Sequence, residues 1–199
     1  MKRTPQEFKR ENVKYLFDKI LGETKTQLEP LSITASESLN DDFTTVDFSF
    51  QESGKKQEIV TTESSGKGFV DGLFSGLYSF YISQYPSLER IKVVDIMVNP
   101  IMKSTKKNGP DAKANVIFRL ETENHGIAEF QHKSRSMLYS SFVSALEAFQ
   151  FYINCERTFH KIQTILEDAQ QRNRGDISQS CMSDLSKLTE VNTYEKRED

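Results

Sequence analysis

The sequence has little of several features that mark whole classes of protein. Of its 199 residues only two are cysteine, Cys155 and Cys181, and their spacing is not that of a metal site. Such sparse cysteines indicate reduced thiols, as in cytoplasmic proteins, rather than a disulfide framework. No apolar run approaches the roughly 18 residues of a membrane helix, and the charged N-terminus lacks the apolar core of a signal peptide. We therefore expect a cytoplasmic protein without a membrane association.

Basic charge and catalytic motifs are also scarce. The net charge of −3 and a pI near 5.7 provide no basic surface for nucleic acid or an anionic membrane. His125, His132 and His160 stand apart, and neither a His-x-His nor a His-Glu-x-x-His motif occurs. The Gly-Lys-Gly segment at residues 66–68 lacks the ending of a Walker loop and the third glycine of a dinucleotide fingerprint. We predict no catalytic residue, no metal site and no cofactor.

What the sequence does contain is one pattern used twice. Residues 43–51 alternate apolar and polar side chains in the manner of a strand, and residues 111–121 do the same. A helical pattern follows each of these segments, and each helix contains Phe-Tyr-Ile, at residues 80–82 and again at residues 151–153. The order strand, strand, strand, helix is therefore predicted to occur twice.

This repeat predicts an α+β fold made of two βββα units, at about residues 28–85 and 88–171. Each unit has an antiparallel sheet with its helix packed on one face, and Ser134 or Ser136 caps the second helix. One unit is too small to bury both faces of three strands. Pairing of the units, and dimerisation of two chains, is the structural prediction.

The two ends of the chain differ from the repeat. Residues 1–27 contain an amphipathic helix that either packs on the body or acts as a linker arm. Its charged residues, Arg10 and Lys14 among them, are interpreted as a solvated face. Residues 172–199 are polar and are predicted to form a disordered tail with at most one weak helical turn around residues 182–188.

The stretch at residues 64–85 is the most informative part of the first unit. Gly66 and Gly68 either expose backbone N–H groups to a carboxylate at the start of a helix or only permit a tight turn. Asp71 suits the helix dipole, which is a sufficient structural explanation for it. An apolar stripe follows, which forms either ordinary core or the wall of a pocket: Val70, Leu73, Phe74 and Leu77.

Three segments resemble motifs of one family. Residues 66–77, GKGFVDGLFSGL, resemble the Gly-x-Gly-Pro-Val-Asp-Ala segment of the C-terminal regulatory (allosteric, dimerisation) domain of 2-isopropylmalate and citramalate synthases. Residues 108–121, NGPDAKANVIFRLE, are similar to that domain's Gly-x-Asp-Ala-x-Ala-Glu-Val strand. Residues 134–149, SRSMLYSSFVSALEAF, are similar to its last helix. The match follows the family's order over about residues 28–154.

The resemblance implies a stand-alone regulatory domain that forms a homodimer and binds a branched-chain amino acid, leucine or isoleucine. The family's catalytic part is a separate TIM barrel of about 250 residues, for which this chain has no room. We therefore expect no enzyme activity and a separate synthase catalytic subunit as a possible partner. The alternative is a dimerisation or docking scaffold that binds no ligand. The residues expected to contact the effector are Gly66, Gly68, Val70, Asp71, Leu73, Phe74, Leu77, Gly109, Asp111 and Ala112.

Overall fold

A computed structural model describes residues 5–38, 40, 43–53, 58–101, 112–123 and 125–195. Two short 3₁₀ helices, Gly22–Thr24 and Pro86–Arg90, connect longer elements. Those elements, in chain order, are α1 (Pro5–Ile20), β1 (Leu28–Ser38), β2 (Phe43–Glu52), β3 (Glu58–Gly66), α2 (Phe69–Tyr81), β4 (Ile91–Pro100), β5 (Ala114–Thr122), β6 (Gly126–Ser134), α3 (Met137–Gln171) and α4 (Gly175–Thr189).

The strands form two separate three-stranded antiparallel sheets, in the orders β1-β2-β3 and β4-β5-β6. Alternate side chains of each central strand point to the helix-covered face, because successive residues of a strand face opposite sides. The predicted α+β fold of two βββα units is thereby confirmed. Six of the inward residues predicted from the alternation are at most 2% exposed: Val46, Phe48, Phe50, Val116, Phe118 and Leu120. Ala112 and Ala114, predicted to lie on the same face, are half-buried.

The helices join the two units into one core. Helix α2 packs on β2 and β3, while α3 packs on β5 and β6 and also reaches β1. The ring of Phe48 in β2 lies 5.3 Å from that of Phe142 in α3, and the ring of Phe118 in β5 lies 5.2 Å from that of Phe74 in α2. Each sheet therefore also contacts the helix of the other unit, which agrees with the predicted pairing of units.

Helix α3 begins and continues as the sequence allows. Ser136 is its N-cap residue, and its side chain accepts a hydrogen bond from the backbone N–H of Tyr139 at 3.2 Å. Without a glycine or proline to interrupt it, the helix runs for 35 residues to Gln171.

In the described part of the chain, no helix combines the length and apolar content needed to cross a bilayer.

The prediction of a disordered tail is wrong over α4. This helix packs against α3 and α1, and it buries Cys181 and Leu188. Asp184 is only 5% exposed and accepts hydrogen bonds from Lys19 of α1 at 2.6 Å and from Lys187 at 2.8 Å. Because a paired aspartate occupies one of the buried positions, the sequence of α4 does not show a continuous apolar stripe.

Candidate functional site

The predicted effector site lies where β3 passes into α2. Gly66 ends the strand so close to the helix that an added Cβ would lie 2.4 Å from the backbone nitrogen of Gly72. On Gly72, an added Cβ would lie 2.9 Å from the Cγ2 atom of Val46 in β2. Real Cβ atoms do not approach other atoms this closely, so both glycines permit close packing between sheet and helix. At Gly66 the geometry favours the interpretation of a tight turn.

Unlike Gly66 and Gly72, Gly68 is not in close contact with the sheet, and Asp71 is exposed to solvent. Gly68 is the N-cap residue of α2, with an extended backbone (φ 177°), and a Cβ there would meet no atom within 4 Å. Asp71 is exposed, and its Oδ2 atom accepts a hydrogen bond from the backbone N–H of Lys67 at 3.1 Å. A carboxylate in the first turn that reaches back in this way caps the helix from within the chain. Open space for a ligand therefore exists beside Gly68.

The apolar stripe of α2 is mostly core. Leu73 and Leu77 are 0% exposed and Phe74 is 4% exposed. The Phe74 ring packs against Phe149 of α3 at 5.9 Å, in addition to its contact with Phe118. A ligand cannot contact Leu73 or Leu77 unless these side chains leave the core. Of the four stripe residues, Val70 alone is half-buried and keeps accessible surface near the start of the helix.

The remaining predicted contacts belong to the second unit. Ala112 is half-buried and precedes β5, whose first residue is Ala114. Gly109 and Asp111 lie outside the described residues. The strand predicted for residues 111–121 is therefore observed from Ala114 onward.

A cavity of about 370 Å³ lies between α1 and α3, beside β6. We call it the α1–α3 cavity. Its lining includes charged residues of both helices and three phenylalanine rings: Arg10, Lys14, Glu147, Phe17, Phe130 and Phe151.

Arg10 occupies an unusual position in this cavity. Its guanidinium carbon lies 4.0 Å from the centre of the Phe130 ring and 5.2 Å from that of Phe151, within cation–π distance. Its Nη1 atom donates to the backbone oxygen of Glu129, while its buried Nε atom has no hydrogen-bond partner among the described residues. Burial lowers the pKa of this guanidinium, because it disfavours the charged form.

Sequence reasoning missed this position. Arg10 was predicted to belong to a solvated face, but it is half-buried. It stands three residues before Val13 and seven before Phe17, so it lies on the buried stripe of α1. That spacing was visible in the sequence, whereas Lys14 is exposed, in agreement with the prediction.

Two further cavities lie near the 3₁₀ helix Pro86–Arg90, with volumes of about 500 and 180 Å³. Arg90 lines both, and it already bonds Glu195 at 2.6 Å. Glu156 is 3% exposed and accepts a hydrogen bond from the backbone N–H of Ser87 at 3.1 Å. His160 Nε2 lies 3.6 Å from the same carboxylate. The contacts of Arg90 and Glu156 therefore link this 3₁₀ helix to the end of the described chain and to α3.

No group of three or more His, Cys, Asp or Glu side chains among the described residues is arranged to hold a metal ion. A scan against models of known protein families finds no match for the chain, and a search of curated proteins finds none either. The proposals that follow therefore depend on the fold, the site geometry and the resemblance of the three motifs.

Proposed function

We propose that this chain is a regulatory-type module of the cytoplasm that forms a homodimer and binds a branched-chain amino acid, leucine or isoleucine. It resembles the allosteric domain of 2-isopropylmalate and citramalate synthases, and it acts on a separate barrel-type synthase without catalysing a reaction itself. The observation that carries the proposal is the doubled βββα architecture, in which the resembling segments fall at the start of α2, in β5 and at the start of α3.

An incompletely covered apolar face supports the homodimer. Strand β4 is the edge of its sheet, and Ile96 and Val98 pair with Phe118 and Val116 of β5. Directly paired residues of antiparallel strands point to the same face. Phe118 and Val116 are 0% exposed, whereas Ile96 is 39% and Val98 45% exposed. A second copy on β4 would remove this apolar surface from water, which is favourable by about 25 cal/mol per Å².

The start of α2 supports an effector site with fewer contact residues than the ten expected from the resemblance. Gly68 has free space beside it, Val70 offers partly exposed apolar surface, and Asp71 offers a carboxylate to the ammonium group. Small-molecule sites combine an apolar wall with a few placed polar groups. In this proposal Leu73 and Leu77 support the site from the core.

A ligand-free scaffold is the second candidate function. The complete burial of Leu73 and Leu77 favours it, because the expected pocket wall is already filled by the protein's own packing. In that case the exposed apolar residues of β4 would serve dimerisation or docking to a synthase.

Calorimetric titration with leucine, isoleucine and valine distinguishes the two candidates. Saturable heat with one site per protomer supports the regulatory module, and an absence of heat at millimolar ligand overturns it in favour of the scaffold. Asp71→Asn should weaken the binding, because the ammonium loses its carboxylate. The matched control is Asp176→Asn, which makes the same change in the first turn of α4 and should leave the heat unchanged.

A further inference from the structure

The α1–α3 cavity carries an excess of positive charge that the proposed function does not use. Lys25 bonds Asp18 at 2.6 Å, so these two lining residues neutralise each other. Arg10 and Lys14 have no carboxylate within ion-pair distance among the residues that the structure describes. Glu147, the remaining acid of the lining, makes no ion pair with a described residue. Burial raises the pKa of its carboxyl, and the nearby cations Lys14 and Arg10 oppose that rise. The three cations of the lining therefore outnumber its two acids by one.

The environment of Arg10 favours an anion. A charged group taken out of water is costly unless a partner compensates it. Two aromatic rings and the carbonyl oxygen of Glu129 supply part of that compensation, yet the Nε atom stays unpaired. A guanidinium presents its donors in a planar fork that matches a carboxylate. Lys14 lies four residues further along the same face of α1 and can add a second charge.

The cavity has room for a small organic anion. Phe17, Phe130 and Phe151 are among its lining residues, but each is at most 6% exposed, so they offer a ligand little apolar area. The volume of about 370 Å³ falls within the range of roughly 300–1,000 Å³ that is typical of small-molecule sites.

We propose that the α1–α3 cavity binds a small organic carboxylate, whose carboxylate group is received by Arg10 and Lys14. This site lies between α1 and the second βββα unit, and it shares no lining residue with the effector site proposed at the start of α2. It goes beyond the proposed function and holds whether or not an amino acid binds at the start of α2.

The test uses the full chain and two matched probes, 3-phenylpropanoate and its neutral amide, in ¹H–¹⁵N NMR titrations. We expect saturable shifts of α1 and α3 signals with the carboxylate. The amide should bind at least about 10-fold more weakly, because it lacks the charge-assisted hydrogen bonds. Lys14→Gln should weaken carboxylate binding by a similar factor, and Arg10→Lys should weaken it although the charge is kept.

The control variant is Lys161→Gln, which changes the net charge equally on an exposed part of α3 and should bind like the original protein. Because Lys14 is exposed, its replacement should leave the fold intact, which the same spectra verify. The proposal is overturned if the carboxylate produces no saturable shift, if the amide binds equally well, or if Lys14→Gln and Lys161→Gln bind alike. None of these outcomes depends on leucine binding, so a failure of this proposal can be distinguished from a failure of the proposed function.

Discussion

Replacing Gly66 by alanine should destabilise the fold, whereas the same change at Gly68 should not. A Cβ on Gly66 would lie 2.4 Å from the backbone nitrogen of Gly72 and 2.9 Å from the backbone carbonyl carbon of Asp71. Overpacking of this kind costs about 1–3 kcal/mol, and the reduced freedom of the unfolded chain returns about 0.4–1 kcal/mol. Because the obstacle is backbone rather than a flexible side chain, we expect a net loss of about 2 kcal/mol in the free energy of unfolding.

Urea unfolding followed by circular dichroism measures this loss. With an m value of about 2 kcal/mol/M, the midpoint should fall by about 1 M for Gly66→Ala. Gly68→Ala is the matched control, since its Cβ meets no atom within 4 Å. Its stability should change by less than about 1 kcal/mol, because alanine is a poorer N-cap residue but restricts the unfolded chain. Equal midpoints for the two variants would refute the packing role of Gly66.

The remaining predictions concern the proposed dimer face, Asp184 and Cys155. Ile96→Asp should halve the mass measured by light scattering, because it places a charge on the proposed dimer face. Ile127 lies on the opposite face of the same sheet, so the control variant Ile127→Asp should leave the mass unchanged. Asp184→Asn should cost about 1.5–3 kcal/mol by urea unfolding, since two hydrogen bonds to charged groups are weakened. Burial opposes ionisation of Asp184, yet the hydrogen bonds from its two lysine partners lower its pKa. Its contribution is therefore present above the ordinary pKa and is lost as the pH falls through the lowered value, so the original protein and the variant should converge in acid. Cys155 is 0% exposed and burial raises the pKa of its thiol, so it should react with a thiol reagent only at the rate of unfolding, and rapid labelling in the native state would contradict this.

The duplicated architecture could be predicted because its signal is local. The alternation around Phe48 and Phe118 specifies which face of each strand is apolar, and the same spacing fixes the helices that cover them. The stripe of α2 was equally visible. Whether Leu73 formed core or a pocket wall was left open, because this depends on what the other unit places against it.

Helix α4 could not be predicted for a different reason. Its buried face runs through Ile177, Cys181, Asp184 and Leu188, so an acidic residue interrupts the apolar pattern. The partner that makes this burial favourable, Lys19, is 165 residues away in the sequence. Neither propensity nor periodicity reports such a pair.

The same limitation applies to the candidate sites. Gly66 and Gly68 look alike in the sequence, but only the first is pressed against a helix. Arg10 lies on a buried stripe, yet its stacking on Phe130 requires strand β6 to lie beside α1. Contacts between distant segments decide these roles.

Native mass spectrometry of the full chain, mixed with leucine and separately with isoleucine, is the decisive measurement, because one spectrum reports both assembly and ligand. We expect a species of twice the 22.9 kDa chain mass that carries one of these amino acids per protomer. A chain that remains at its single mass and carries neither amino acid at millimolar ligand would overturn the proposed function.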